Sequence, residues 1–503
     1  MKFKRSNEVL SAMCKIQIVL RNTRTGQLLC RNGINYLLQL FTTLKYGMSP
    51  FKRLRDFLSL RATRTRTLRT NFIWNAAGNA VFALCQWATL VVFAKLGSPS
   101  LVGQVVYGLA LTAPLFVIAG MQLRSIQATD TDSRYTLAQY IRLRTLTTVA
   151  GIIVAVLIVT FMWEGSRQPA LIILFWALAK AVDSGSDALY GLFQQSERMD
   201  YVGVSLSLRG FLALAVVMVL FRASHSAPLA LAGLTIGWVA VFILFDIPVA
   251  RTLLRRSLPL ANTSRAKHET IPPASDHWQL LPLFFEAAPL GVVAFLLAIQ
   301  AQVPRYVVAG LLHTHELGLF SAAAYLTFIG AMLVNALGAP ACVRLAQYHV
   351  TGARSAFRRL MAKLLLVAAA LGVAGILVSV FAGGRILALL YTSEYSRMAG
   401  VLTMLCVGSA LSFVASFLGY GMTALRRYSI QVPIFLGVVS ITVVSCYWLT
   451  GRYGLMGTAV GMLIGNLAQL LMSAAVVWRA TRLNSKHAIT RPCSVIEITE
   501  SVL

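Results

Sequence analysis

The chain is 503 residues long, 57% hydrophobic and only 12% charged, with a net charge of +28. A soluble domain carries about twice that charged share, so a soluble globular protein is excluded. The positive excess reads as a membrane-oriented charge distribution with attraction to anionic lipid; no nucleic-acid partner is expected, because no compact basic module stands apart from the apolar stretches.

Residues 1–70 form a basic cytoplasmic extension, with 15 Lys and Arg against Glu8 and Asp56. They lack an apolar core followed by a small-residue cleavage site, so they are not a secretory signal. Residues 47–70 read as a basic amphipathic stretch lying on the membrane. A true start at Met48 is the alternative.

About twelve apolar segments follow, each near the roughly 20 residues that cross a bilayer as a helix. They fall at about 71–95, 101–123, 145–163, 169–195, 203–221, 227–249, 280–303, 317–340, 360–382, 398–424, 430–449 and 455–478. In hydrocarbon every backbone N–H and C=O must be paired within the segment, so the expectation is an all-α polytopic membrane protein. With the N-terminus inside, one set of connectors and the tail hold 21 Lys and Arg and the opposite set holds 7. That asymmetry places both termini in the cytoplasm. The connector 251–279, with Pro272–Pro273, separates a lobe at 71–250 from a second at 280–480, six segments each; 481–503 is a cytoplasmic tail. The halves carry a weak internal repeat, in which Gly103 aligns with Gly318 and Gly237 with Gly465. Such repeats occur where two bundles move about a central site.

Polar residues inside the spans are the candidate site, because charge in hydrocarbon is costly and turns towards water or a partner. The first span carries Asn71, Asn75 and Asn79 at i, i+4 and i+8, followed by Gln86. These line a hydrophilic cavity or bond a neighbouring helix. The fourth span reads LAKAVDSGSDALYGLFQQSER. Lys180, Asp183 and Asp187 share one face, which Gly191 and Gln194 extend. That face is either a wet stripe for a charged substrate or coupling proton, or a neutralised Lys180–Asp183 pair joining helices. Arg209 in the fifth span has no partner within its own helix. Glu286 in the seventh also has none and stands beside a kink expected at Pro289. Arg305 reads as an interfacial snorkel. Gly457, Gly461 and Gly465 form a close-packing ridge.

His313, His315 and Glu316 read as a solvated outer loop, since no fourth metal ligand can be named. The seven cysteines show no CxxC spacing, and Cys85, Cys406 and Cys446 lie in apolar runs as small hydrophobes. No Walker motif, HExxH, GxSxG or dinucleotide fingerprint occurs. Neither an enzyme nor a cofactor or metal is therefore expected.

NFIWNAAGNAVFALCQW, LGSPSLVGQVVYGLALTAPLFVIAGMQLRSIQATD, LAKAVDSGSDALYGLFQQSERMDYVG, PRYVVAGLLHTHELGLFSAAAYL and NALGAPACVRLAQYHVTGARSAFRRL together resemble the O-antigen-type polysaccharide flippases. These belong to the multidrug/oligosaccharidyl-lipid/polysaccharide exporter superfamily. The resemblance covers about 70–480. It implies two six-helix lobes in a V around a central cavity, alternating access, and a bacterial inner-membrane location. It implies an undecaprenyl-pyrophosphate-linked oligosaccharide as substrate, for O-antigen, capsule or exopolysaccharide. Glycosyltransferases and a polymerase would then be pathway partners. A pyrophosphate needs cations: Lys180 and Arg209 within the spans, Arg124 at the inner mouth. Sugar hydroxyls would meet Asn75, Asn79, Gln86 and Gln194, and Asp183, Asp187 or Glu286 would carry a coupling proton. The competing expectation is a cation-coupled drug exporter of the same superfamily, whose cavity would favour acids.

Overall fold

The computed structural model describes residues 68–130, 134–163, 167–264, 280–425 and 430–487. The basic extension before Leu68, the Pro272–Pro273 connector and the end of the tail lie outside the described residues. Among those described, the chain is helical with no strand. The first half runs α1 (Leu68–Leu96), α2 (Pro99–Gly120), α3 (Leu123–Thr129), α4 (Leu137–Trp163), α5 (Arg167–Gln195), α6 (Met199–Ser224), α7 (Ala227–Val241) and α8 (Ile247–Ser264). The second runs α9 (Leu280–Val350), α10 (Arg354–Leu390), α11 (Ala399–Ala424) and α12 (Gln431–His487). A π-helical turn, Phe242–Asp246, joins α7 to α8, and a 3₁₀ turn, Ser393–Met398, leads into α11.

Ten of these helical stretches are long and apolar enough to cross a bilayer. Two are broken midway: α9 at His313 (φ 67°) and α12 at Gly454 (φ 58°). Glycine takes that conformation freely, whereas histidine there costs on the order of 1–3 kcal/mol. Counting each broken helix as a pair yields the twelve crossings expected. A difference lies at 303–317, expected as a polar loop. The chain instead stays helical to Leu312 and resumes at once, because the apolar run VVAGLL continues the helix past Pro304. Arg305 therefore stands about 12 Å below the turn at His313, eight residues at roughly 1.5 Å each. It is not a snorkel at the surface: its guanidinium donates to the Ala301 carbonyl and to Gln302 Oε1 (2.8 Å) and lies 5.8 Å from the centre of the Tyr325 ring.

The apolar cores show how the halves sit. At the end bearing the 97–98, 225–226, 313 and 391–392 turns, the end the sequence reading expects to face outward, both halves share one core. Phe93, Val102, Phe221 and Trp238 pack there with Leu317, Phe320, Leu387 and Ala459. At the opposite end the cores are separate. One, around Phe193, Tyr201 and Phe245, belongs to the first half alone; the other, around Leu345, Phe417 and Val438, belongs to the second alone. Two bundles joined at one end and parted at the other make a V. The start of α9 closes one flank, where Leu283 and Ala287 pack on Met121 and Leu143.

The outer junction is reciprocal. A Cβ on Gly103 would fall 1.8 Å from the Thr314 carbonyl oxygen, and a Cβ on Gly318 would fall 1.9 Å from that of Pro99. Pro99 precedes Gly103 by the same step as Thr314 precedes Gly318, so each half offers the other the same patch, as across a two-fold axis. The repeat seen in sequence is thus a contact in space, and only glycine permits the backbones to come so close. The ridge on α12 likewise packs tightly, with Gly457 against Leu449, Gly461 against Cys446 and Gly465 against Thr442.

Candidate functional site

The first lobe holds a cavity of about 500 Å³, walled by Phe116, Gln122, Arg124, Arg144, Lys180, Asp183, Ser184, Asp187 and Gln194. Local breaks in the helices build it. After Gly120 two residues, Met121 (φ 47°) and Gln122 (φ 53°), turn left-handed, and the chain re-enters a short helix, α3, that carries Arg124. The break frees carbonyls at the end of α2, where partial negative charge favours a cation. Arg144 fills that place. Its Nη1 donates to Gly120 O (2.6 Å), its Nε to Ser184 Oγ (2.7 Å) and its Nη2 to Asp187 Oδ2 (2.8 Å). A Cβ on Gly120 would stand 3.0 Å from that guanidinium.

α5 supplies the opposite wall, with Lys180, Asp183, Ser184, Asp187 and Gln194 along one stripe, as helical spacing requires. Gln195 Nε2 donates to the Gln127 carbonyl (2.6 Å), and a Cβ on Gly191 would clash with the Gln127 side chain. These contacts dock α3 on α5. They place Arg124 so that its Nη1 is 3.3 Å from Asp187 Oδ1 and its Nε is 3.3 Å from Gln194 Oε1. Lys180 Nζ pairs with Asp183 Oδ2 at 3.4 Å. The Lys180–Asp183 ion pair forms within α5, and both its members face the cavity. The wall carries Arg124, Arg144 and Lys180 against Asp183 and Asp187, a surplus of one positive charge.

Behind the wall lies a buried charge network. Arg209 and Asp246 are fully buried. Arg209 Nη1 donates to Asp183 Oδ1 and its Nη2 to Asp246 Oδ2, both at 3.1 Å. Asp246 also accepts from Ser186 Oγ (2.7 Å) and Ser205 Oγ (2.6 Å), and Ser205 is linked to Tyr190. Asp246 sits on the π-helical turn, which aims its carboxylate across at α6 and α5. Arg209, expected to meet substrate, reaches the cavity only through Asp183. Its guanidinium lies 5.6 Å from the centre of the Tyr190 ring and 5.9 Å from that of Trp238.

The remaining sequence candidates lie elsewhere. Asn79 Nδ2 bonds to Asn75 along α1, and neither residue walls this cavity. Asn71 donates to the Glu197 carbonyl at 2.7 Å. Gln86 lines a separate apolar cavity of about 30 Å³ with Phe82, Trp176, Trp238 and Tyr325. Glu286 accepts from Tyr135 Oη (3.1 Å) where α9 crosses the start of α4. Burial and this carboxylate push the Tyr135 phenol above its usual range. His315 Nε2 stands 3.2 Å from Glu394 Oε1.

Arg144 and Asp246 escaped the sequence reading. The apolar span read at 145–163 leaves Arg144 just outside it, yet Thr136–Gln139 is a capping box in the chain: Thr136 N donates to Gln139 Oε1 and Gln139 N to Thr136 Oγ1. That signal starts α4 at Leu137 and puts Arg144 two turns inside the helix. Asp246 was visible as a lone acid in the apolar run FILFDIPV.

No protein-family model matches the chain. A protein named capsular polysaccharide biosynthesis protein CapF, from Staphylococcus aureus, is 25% identical over 404 residues, 80% of this chain and 97% of that protein. An inward-facing multidrug resistance MATE family transporter of the MOP superfamily superposes with a TM-score of 0.61 at 12% identity, over 81% of this chain and 96% of its own. The lipid II flippase MurJ, in an inward closed conformation, superposes with a TM-score of 0.61 at 13% identity, over 82% and 91%. The fold is therefore the two-lobe V of these multi-pass membrane transporters and flippases, as the sequence resemblance implies.

Proposed function

We propose that the chain is a flippase that turns a polyprenyl-pyrophosphate-linked oligosaccharide from the inner to the outer leaflet of a bacterial inner membrane. Its product would serve capsule, O-antigen or exopolysaccharide assembly. The lobes at 71–250 and 280–480 would rock about the outer junction, with both termini in the cytoplasm as the Lys and Arg count favours. Glycosyltransferases would supply the substrate and a polymerase would consume it. The work is transport, with no bond made or broken.

One observation carries the reading: the cavity wall holds three cations against two acids. Guanidinium and ammonium groups fit phosphate oxygens, and Gln122, Ser184 and Gln194 offer partners to sugar hydroxyls. The relative named for capsular polysaccharide biosynthesis and the lipid II flippase fold support the same class of cargo. An anionic headgroup leaving a negative interior gains about 2.3 kcal/mol per charge per 100 mV. Ion coupling, where used, would fall to Asp183 or Asp187 on the cavity, or to Glu286 at the α4–α9 crossing.

The MATE transporter match keeps cation-coupled drug export as the second reading. The positive surplus of the wall opposes it, because a cationic drug would be repelled. Replacing Arg144 by Gln or Lys180 by Ala should abolish surface polysaccharide while the protein still reaches the membrane. Unchanged polymer with altered drug sensitivity would favour the exporter.

A further inference from the structure

We propose that Asp187 is a resident stand-in for the substrate's phosphate. Cargo binds by displacing its carboxylate from Arg124 and Arg144. The inference rests on the flippase reading and deepens it by naming what the headgroup must replace.

The geometry singles out this one acid. Each Asp187 oxygen meets a different arginine from a different element, Oδ1 with Arg124 at 3.3 Å and Oδ2 with Arg144 at 2.8 Å. Two oxygens bridging two guanidinium groups is the arrangement a phosphate makes. The other two acids of the cavity network are committed elsewhere. Asp183 balances Lys180 and Arg209, and Asp246 is sealed beneath two serines and Arg209. Among the described residues Asp187 pairs only with the two cavity arginines, and its side chain is 30% exposed.

The two arginines are unequal. Arg144 is 8% exposed and held by Gly120 O and Ser184 Oγ besides Asp187. It stays in place when the carboxylate leaves. Arg124 is held by Gln194 at 3.3 Å and by the face of Tyr190, on a seven-residue helix that follows two left-handed residues. Arg144 is thus the fixed anchor and Arg124 the arm that closes on the cargo.

Exchange has three consequences. The empty cavity never exposes two bare cations within the membrane, where uncompensated charge is costly. Binding also measures the difference between the headgroup and Asp187. A monoanion gains little over the resident carboxylate, whereas a multiply charged pyrophosphate gains, so the pair selects for charge number. The same competition restores Asp187 to the arginines on release, which keeps the headgroup from being trapped.

The test measures binding to the full chain in lipid nanodiscs at fixed pH and salt. Inorganic pyrophosphate and bilayer-embedded farnesyl pyrophosphate are run side by side, with acetate as the monoanion, so that a free ion is told from a lipid-borne headgroup. Asp187→Asn should tighten pyrophosphate binding about tenfold, or ~1.4 kcal/mol, and should raise acetate binding above its weak wild-type level, because no resident carboxylate competes. Asp187→Glu should bind as the wild type does, and Arg144→Gln should lose binding in either background. Asp187→Ser repeats the neutralisation should the Asn variant fold poorly, with thermal unfolding as the check. Neutral variants that are folded but bind pyrophosphate no more tightly than the wild type overturn the stand-in. Binding that is still lost in Arg144→Gln would then leave the flippase reading in place. Absence of binding in every folded variant removes both.

Discussion

The two lobes share a frame and differ in what fills it. Both are six-crossing bundles, and they meet through the reciprocal Gly103 and Gly318 contacts. Yet the first lobe is wired by charge, with Arg124, Arg144, Lys180 and Arg209 set among Asp183, Asp187 and Asp246. In the second, apart from Arg305 and the exposed His315–Glu394 pair, the polar contacts are made by amides and hydroxyls. Gln300 Nε2 bonds to Gln469 Oε1 (2.9 Å), Asn466 Nδ2 to Gly408 O (3.0 Å), and Thr450 to Thr458 (2.8 Å). Symmetry of the frame suits a rocking motion, in which each lobe is the other's fulcrum. On the proposed flippase reading, the asymmetry of the filling would put recognition of an anion on one side. The frame tolerates this because a network of paired charges can be buried in one bundle while apolar packing carries the other.

Breaking the first lobe's network should have the largest effect. Asp246→Ala leaves Arg209 buried with half its partners, and removing one partner of a buried pair costs about 3–5 kcal/mol. Thermal unfolding in detergent should show a marked loss of stability, far beyond that of Asn466→Ala in the second lobe. A small, equal loss in both would erase the distinction between the lobes. Next comes Arg144→Gln, which should lower pyrophosphate binding by at least roughly tenfold, each 1.4 kcal/mol being a factor of ten. Its unfolding midpoint should move less than that of Asp246→Ala.

The shared frame is tested at the outer junction. Gly103→Val and Gly318→Val should each force the lobes apart there, with overpacking of about 1–3 kcal/mol shifting the equilibrium by roughly 5- to 150-fold. Thiol labelling of a cysteine placed at Val102 should speed up alike in both variants. A response in one alone would break the two-fold relation. The smallest effect is expected from Gln300→Ala. A hydrogen bond between membrane helices is worth about 0.6 kcal/mol, so polymer output should stay at the wild-type level.

Sequence alone made some of this legible and hid the rest for physical reasons. The crossings were readable because twenty apolar residues in series have one stable form in hydrocarbon. The α5 stripe was readable because Lys180, Asp183, Asp187 and Gln194 obey a spacing internal to one helix. Gly103 and Gly318 were paired by a repeat of local context. Partners on different helices carry no such spacing, so the burial of Arg209 under Asp183 and Asp246 emerged only in three dimensions. Arg144 was lost to a misplaced helix start, since apolarity marks the hydrocarbon zone while the capping box at Thr136 marks the helix. Arg305 was misplaced for the same reason at the far end of a span.

The proposed rocking about the Gly103–Gly318 junction is tested directly by spin-label distances in nanodiscs. One pair, at Lys95 and Arg397, reports the outer ends of the two lobes; the other, at Arg255 and Thr351, reports the inner ends. Addition of farnesyl pyrophosphate should populate a state with a longer outer distance and a shorter inner one, the two changing in step. Distance distributions that stay single and unmoved at both ends would contradict alternating access by these lobes.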